Sequence, residues 1–284
     1  MDKAKKRIGM IAPIEDRQGL VDWARYNKPT LEKAIIYTTY ETGGELERDV
    51  GLKVEKEADV VLNNIYPLRI QFKSSSKGGD MEIGCLLVEG KLDCLFYFWN
   101  SAGKEPHDED IKAVLRHSVN QNIPTACNRN TADHLISSPY FDKANSNYPP
   151  HEGVVNIALV AHDGKKDELM EWVQLYKSVL GKHNLFATGT TGGRIIKETG
   201  LKVNKMKSGP KGGDMEISTL ITNKDLDCLV FFWDPEEAQP HDVDVKALLR
   251  NAVYYNVAIA CNPATANHII TSNLFPKKLY ERSS

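Results

Sequence analysis

The stretch KGGDMEIGCL (residues 77–86) recurs as KGGDMEISTL (residues 211–220), with eight identities in ten positions. The same shift of 134 residues aligns PHDEDIKAVLR, from Pro106, with PHDVDVKALLR, from Pro240. The segments ACNRNTA and ACNPATA obey it as well. Self-similarity at a fixed shift is the signature of a duplicated structural unit. The sequence therefore predicts two tandem copies of one domain.

Near the start of each copy the shift is 149 residues, because Trp23 then matches Trp172. The two shifts differ by 15 residues, which indicates an insertion in the first copy, roughly between Lys53 and Lys73. We expect this insertion, which contains VVLNNIYPLRIQF, either to extend a strand or to form a surface excursion.

A turn-rich segment, NSNYPPHEG (residues 145–153), separates the copies. Its paired prolines disfavour both helix and strand. The predicted domains are residues 1–148 and 152–284.

Composition narrows the class of protein. Hydrophobic residues make up 41% of the 284 residues and charged residues 26%, which is typical of a folded domain, and the formal net charge is only -2. No long basic run points to nucleic acid, and the apolar run at residues 8–14 is too short for a signal peptide or a membrane span. Five cysteines without a CxxC pair suggest neither a disulfide framework nor a zinc site. We expect a cytoplasmic protein.

The second copy alternates short apolar runs with longer amphipathic stretches. The runs VVNIALVA, NLFAT, DCLVFFW and VAIAC lack a period of two, as is usual for strands covered on both faces. Apolar residues at three- and four-residue spacing predict helices over residues 166–180, 215–223, 244–255 and 265–274. This order predicts an α/β fold in which a parallel sheet is flanked by helices.

Polar clusters follow the predicted strands, where ligands bind in open parallel sheets. His162 and Asp163 follow the first strand, the turn ATGTTGG (residues 187–193) follows the next, and Asp234 and then His241 follow VFFW. Glycines and hydroxyls at the start of a helix suit a phosphate, although such a turn often only caps a helix.

Each remaining candidate residue also has a simpler structural explanation. Lys166 is a possible cationic partner of the phosphate or a solvated side chain, and Asp214, after the glycine-rich loop SGPKGG, is a possible base or a helix cap. His241, Asp242 and Asp244 precede or begin a helix, where acidic residues favour the helix dipole. A metal site of His162, Asp163, His241 and Asp244 lacks the paired spacing of hydrolase zinc motifs, so no metal is predicted.

Together, VAHD-x-x-K, ATGTTG, SGP-x-GGD, FFWDP and PHD-x-DVKALLR, in this order over nearly all of the second copy, resemble the methylglyoxal synthase family. The resemblance implies two tandem Rossmann-like domains. It also implies conversion of dihydroxyacetone phosphate to methylglyoxal and inorganic phosphate without metal or organic cofactor, and a homo-oligomer, typically a hexamer.

By the same resemblance, Asp214 is the base that removes a proton, and His241 polarises the substrate carbonyl. Asp163 and Asp244 match acidic positions of the active site. The positions matching substrate-binding residues are His162, Lys166, Thr188, Gly189, Thr190, Thr191, Ser208 and Gly209. The family also carries an arginine near its carboxy terminus, and here only Arg282 is a candidate for that role.

The first copy departs from this pattern. It has Pro13 and Ile14 where the second has His162 and Asp163, and Glu41 where the second has Thr190. Further replacements are Tyr40 for Gly189, Ser75 for Gly209 and Asn100 for Asp234, whereas Asp80, His107 and Asp110 are retained. Because a carboxylate at the phosphate position repels the substrate, we expect this copy to be inactive and to act as a built-in partner, with three chains imitating a hexamer.

The main alternative is a binding module. The same fold occurs as the regulatory domain of carbamoyl-phosphate synthetase, which senses a phosphate-bearing effector without chemistry. The combination of Asp214 with His241 favours the enzyme.

Overall fold

A computed structural model of the chain describes residues 5–62, 66–99, 108–147, 152–236 and 242–276. The chain divides into two compact units, Met1–Arg129 and Asn130–Ser284. The sequence repeat predicts a later boundary, at residues 148–152, and those domain bounds stay a prediction. The units divide earlier because the helix Arg129–Ser137 makes its hydrogen bonds within the second unit. Asn130 donates to the Asn256 carbonyl at 3.0 Å, for example.

The first unit contains a four-stranded sheet in the order β2-β1-β5-β6, and its pairings are all parallel. Its buried apolar residues lie against this sheet, Ile83, Leu86 and Val114 among them. The strands of this unit are β1 (Arg7–Ile11), β2 (Ile35–Thr38), β3 (Glu57–Leu62), β4 (Tyr66–Gln71), β5 (Cys94–Tyr97) and β6 (Thr125–Ala126).

The insertion in the first copy forms an antiparallel hairpin from β3 and β4, with Glu57 opposite Gln71 and Leu62 opposite Tyr66. The base of the hairpin is closed by Phe72 N, which donates to the Lys56 carbonyl at 2.9 Å. The two sequence shifts place Lys56 and Phe72 opposite the adjacent residues Lys205 and Met206 of the second copy. The 15 inserted residues are therefore the hairpin itself, a separate excursion from the parallel sheet.

The second unit repeats this strand order with one more strand, as β11-β10-β7-β8-β9, again entirely parallel. All four predicted runs contain strands. The fifth, β9, was missed because its sequence, VNK, is short and largely exposed and has no apolar run. The strands are β7 (Asn156–Ala161), β8 (Asn184–Ala187), β9 (Val203–Lys205), β10 (Cys228–Phe232) and β11 (Ala258–Ala260).

Helices flank both sheets, so the predicted α/β class with parallel sheets is confirmed. The stretch predicted as one helix from Lys166 is interrupted at Tyr176, which joins two shorter helices. The helix after Ala260 begins where the Asn262 side chain accepts from Thr265 N at 2.8 Å, so the repeated ACN-x-x-TA motif serves here as a helix cap.

The helices of the first unit are α1 (Ile14–Tyr26), α2 (Lys28–Leu31), α3 (Tyr40–Glu45), α4 (Gly79–Val88) and α5 (Asp108–Asn120). The remaining helices are α6 (Arg129–Ser137), α7 (Lys166–Leu175), α8 (Lys177–Leu180), α9 (Gly189–Thr199), α10 (Gly213–Thr222), α11 (Asp242–Tyr254) and α12 (Pro263–Thr271). Within the described ranges, none is long and apolar enough to cross a bilayer.

Two cysteines begin interior strands of the sheets, Cys94 in β5 and Cys228 in β10. Both side chains are buried, and burial raises the pKa of each thiol to about 12. They are small members of the core.

Candidate active site

The end of strand β7 places His162 at the carboxyl edge of the second sheet. The side chain is buried and stands edge-on to the Phe231 ring, with the ring centres 5.2 Å apart. His162 N donates to the Phe232 carbonyl at 3.1 Å, and Asp234 N donates to His162 Nδ1 at 3.4 Å. The second contact requires Nδ1 to be the unprotonated ring nitrogen. The ends of β7 and β10 thus fix the imidazole between them.

Lys166, the first residue of α7, contacts both the segment after β7 and the ATGTTGG turn, residues 187–193, which we call the threonine turn. Its Nζ lies 2.5 Å from Asp163 Oδ1 and donates to Thr190 Oγ1 at 3.1 Å. The lysine side chain is 21% exposed, whereas that of Asp163 is 79% exposed. The ammonium group is therefore held against the threonine turn rather than extended into water.

The threonine turn starts α9. Thr188 is the N-cap with an extended backbone, and its hydroxyl donates to Thr191 Oγ1 at 3.3 Å, both side chains being buried. Gly189 approaches another loop so closely that an added Cβ would lie 3.1 Å from Ser208 N and from the Met206 carbonyl oxygen. The same glycine donates its N–H to the Lys207 carbonyl at 2.9 Å. A side chain here would require the loop atoms to shift by a few tenths of an ångström.

The second loop carries Ser208 and Gly209 into helix α10. The Ser208 carbonyl accepts from Gly213 N at 3.0 Å, and Gly212 has a φ of 91°, a conformation that favours glycine. An added Cβ on Gly213 would lie 2.0 Å from the Lys207 carbonyl oxygen, so this position excludes every side chain. The glycines let the loop pass directly beneath the start of the helix.

Asp214 is the second residue of α10 and is only 2% exposed. The N-cap of this helix is Gly212, so Asp214 is not the capping residue that its spacing also allowed. Its position in the first helical turn favours a negative charge. A buried carboxylate is thus placed beside the loop that meets the threonine turn.

Sequence inspection missed Glu216, one turn further along α10. Its carboxylate accepts from Lys207 N at 2.7 Å and lies 3.3 Å from Lys207 Nζ. The Lys207 backbone N–H and, secondarily, its ammonium group lower the pKa of Glu216. Glu82 makes the same two contacts with Lys73 in the first unit, at 2.7 and 2.8 Å. The sequence could have indicated this contact, because the lysine and the glutamate occur at matching positions in both copies.

The structure therefore brings together the segments that carry His162, Lys166, the threonine turn and the Ser208 loop. His241, and Asn100 and His107 of the first copy, lie outside the described residues, as does Arg282. Asp244 lies in α11, but its side chain is also outside them. Among the side chains that the structure describes, no group of three or more His, Cys, Asp or Glu residues could hold a metal ion.

The corresponding edge of the first unit keeps the threonine pair but differs in its other polar groups. Thr39 donates to Thr42 Oγ1 at 3.1 Å, and Ser75 Oγ, which replaces a glycine, donates to Thr39 Oγ1 at 3.4 Å. Arg17, in the place of Lys166, forms an ion pair with Glu45 at 3.1 Å. The hydroxyls and the cation at this edge are therefore engaged within the unit itself.

Comparison with known proteins finds relatives of the second unit. The sequence profile of the MGS-like domain family matches residues 168–261. A methylglyoxal synthase of Saccharophagus degradans is 57% identical over 126 residues, which cover 44% of this chain and 81% of that protein. One from Coxiella burnetii is 54% identical over 122 residues, covering 43% and 85%.

A crystal structure of methylglyoxal synthase from Elizabethkingia anophelis is 50% identical, covers 43% of this chain and 80% of that one, and superposes with a TM-score of 0.41. The assignment to a family rests on sequence identity, because the two sequence relatives are each matched over more than four-fifths of their length. This chain belongs to the methylglyoxal synthase family.

Proposed function

We propose that the second unit converts dihydroxyacetone phosphate to methylglyoxal and inorganic phosphate, as the names of its relatives imply. The observation that carries this proposal is the ammonium group of Lys166, which donates to Thr190 Oγ1 in the threonine turn at 3.1 Å. That turn meets the loop that leads to Asp214 through Gly189 N, which donates to the Lys207 carbonyl at 2.9 Å. This contact supports the proposal, because it joins the turn that would bind phosphate to the loop that precedes the buried Asp214. A substrate that has an acidic C–H bond and a phosphate on the same three-carbon skeleton needs both.

The turn and Lys166 would bind the phosphate. Lys166 supplies a positive charge beside Thr190, and Thr188 and Thr191 lie in the first turn of α9, whose dipole favours an anion. Ser208 and Gly209 would close the other side of the phosphate. Asp163 balances the lysine charge through its 2.5 Å contact.

Asp214 would act as the base. It removes a proton from the carbon that bears the hydroxyl, and the electrons of that C–H bond move to the carbonyl oxygen, which gives an enediolate. The hydroxyl proton is then lost, the hydroxyl oxygen forms the aldehyde C=O bond, and the C=C electrons shift to the carbon that bears the phosphate as the C–O bond breaks and its electrons leave with the phosphate. The remaining enolate oxygen takes up a proton, and the enol tautomerises to methylglyoxal as its CH2 carbon is protonated. Oriented donors must stabilise the charge on the enediolate oxygen.

The two histidines are the candidates for those donors. His162 is fixed with Nδ1 as the acceptor, so its Nε2 carries the proton in the neutral ring. By resemblance, His241 polarises the carbonyl and moves protons between the substrate oxygens, with Asp244 as its acidic neighbour. Mutating His241 to Gln should lower kcat more than it raises KM if this role is correct.

We infer that the first unit is a second copy of the same domain that does not turn over substrate. The shared strand order and the loop contacts of Glu82 and Glu216 support a common origin. Such a chain would assemble as three copies, with the first units in the places of family subunits. Light scattering that gives a mass other than that of three chains would contradict the assembly.

The activity is tested by incubating the full chain with dihydroxyacetone phosphate and measuring both products. We expect methylglyoxal and phosphate in equal amounts. Binding of the substrate without turnover would instead support a regulatory module, like the one in carbamoyl-phosphate synthetase.

A further inference from the structure

Tyr97 of the first unit and Phe231 of the second occupy the same place in their sheets. Tyr97 pairs with Ile11 on the neighbouring strand β1, and Phe231 pairs with Val160 on β7, which are matching positions of the repeat. The ring of Tyr97 lies in one core cluster with Ile83 of α4, and that of Phe231 lies in one cluster with Ile217 of α10. Each ring thus faces the helix that carries the conserved aspartate of its unit.

The hydroxyl of Tyr97, which Phe231 lacks, makes a hydrogen bond in the first unit. Tyr97 donates to Asp80 Oδ2 at 2.6 Å, and both side chains are fully buried. Burial and the nearby charge of Asp80 raise the pKa of Tyr97 far above its usual range, so the phenol stays protonated. A donor that is always present stabilises the carboxylate and makes Asp80 a weaker base.

The second unit lacks that hydroxyl because phenylalanine stands at the matching position, directly beside His162. Asp214 and Asp80 are each the second residue of a helix that follows a left-handed glycine, so the carboxylates start from the same backbone position. A tyrosine in place of Phe231 would therefore direct its hydroxyl towards Asp214 as Tyr97 directs its own towards Asp80.

We propose that Phe231 is a positioning residue of the active site. It occupies the place that Tyr97 has in the first unit, but it has no hydroxyl that could donate a hydrogen bond to Asp214. The reverse also follows: Tyr97 is part of the reason why the first unit does not turn over substrate. This inference rests on the proposed function, since it assigns to Phe231 an effect on the base of that reaction.

The test compares Phe231→Tyr with Phe186→Tyr in the full chain. Both changes introduce a tyrosine that the first copy already has, because Phe186 in β8 matches Tyr37. We expect Phe231→Tyr to lower kcat on the order of 10-fold, with KM within about twofold, and to move the rising acid limb of the pH profile to lower pH. Phe186→Tyr should change neither quantity. Equal profiles for both variants and the wild type would overturn the proposal.

A second measurement decides the matter if Phe231→Tyr fails to fold. The carboxyl of Asp80 is titrated by ¹³C NMR in the wild type and in Tyr97→Phe, which only removes an oxygen. The pKa of Asp80 should rise in the variant, and an unchanged value would refute the proposal. Absence of turnover in the wild type would count against the proposed function alone, because this titration does not depend on activity.

Discussion

The two units share the same backbone framework but carry different side chains at the carboxyl edge of the sheet, where a ligand would bind. In each, a parallel sheet has the same strand order, a glycine passes beneath the start of a helix, and a glutamate holds the preceding loop. At the edge itself, the second unit has Lys166 against Thr190, whereas the first has Arg17 paired with Glu45. The groups that shape the backbone persist in both units. Of the proposed substrate-binding groups, Lys166, Thr190 and Gly209 are replaced in the first unit, whereas the threonine pair at the start of the helix is kept.

The largest expected difference between the units concerns their aspartates. Asp214→Asn should reduce turnover on the order of 10²-fold or more, because an amide cannot act as the base. Asp80→Asn should leave turnover within about twofold, and steady-state kinetics of both variants measures the ratio. Equal losses would show that both units turn over substrate.

Substitutions in the shared backbone framework should lower the stability of both units by similar amounts. Gly213→Ala and Gly79→Ala would place a Cβ 2.0 and 2.1 Å from a backbone carbonyl oxygen, so each should destabilise its unit by about 3 kcal/mol. Gly193→Ala and Gly44→Ala are matched controls, since an added Cβ meets nothing within 4 Å at either position. Urea unfolding followed by circular dichroism compares them, and a loss confined to one unit would argue against a common frame.

Phosphate recognition should again differ between the units. Lys166→Ala removes a charge-assisted hydrogen bond, typically worth about 1.5–3 kcal/mol, so the Kd for inorganic phosphate should rise by a factor on the order of 10 to 100. Arg17→Ala should leave it unchanged, because the first unit has Glu41 at the position of Thr190 and a carboxylate there repels phosphate. Calorimetric titration gives both constants, and a similar loss in Arg17→Ala would place a phosphate in the first unit.

The smallest effect is expected from the hairpin. Excising residues 57–71 joins Lys56 to Phe72, which are already linked by a 2.9 Å hydrogen bond and whose counterparts are adjacent in the second copy. Turnover by the second unit should stay within about twofold. A decrease of tenfold would give the hairpin a part in the reaction.

The parallel sheets and the grouping of polar residues at one edge could be predicted from the sequence, because apolar runs and the polar residues that follow them indicate both directly. The sequence did not reveal the hairpin's shape, since VVLNNIYPLRIQF is compatible with a longer strand. Strand β9 was missed because an exposed edge strand needs no apolar residues. The role of Glu216 depends on a contact with the Lys207 backbone, and the contrast between Tyr97 and Phe231 depends on which helix their rings face.

The burial of the thiols at the start of β5 and β10 affects how they react with the product. Methylglyoxal is an electrophilic aldehyde, and the thiolate rather than the thiol is the form of cysteine that attacks carbonyl carbon. With a pKa of about 12, Cys94 and Cys228 are ionised at neutral pH only to a fraction on the order of 10⁻⁵. The same burial that packs the two sheets thus protects these cysteines from adding to the aldehyde of the compound that the chain releases.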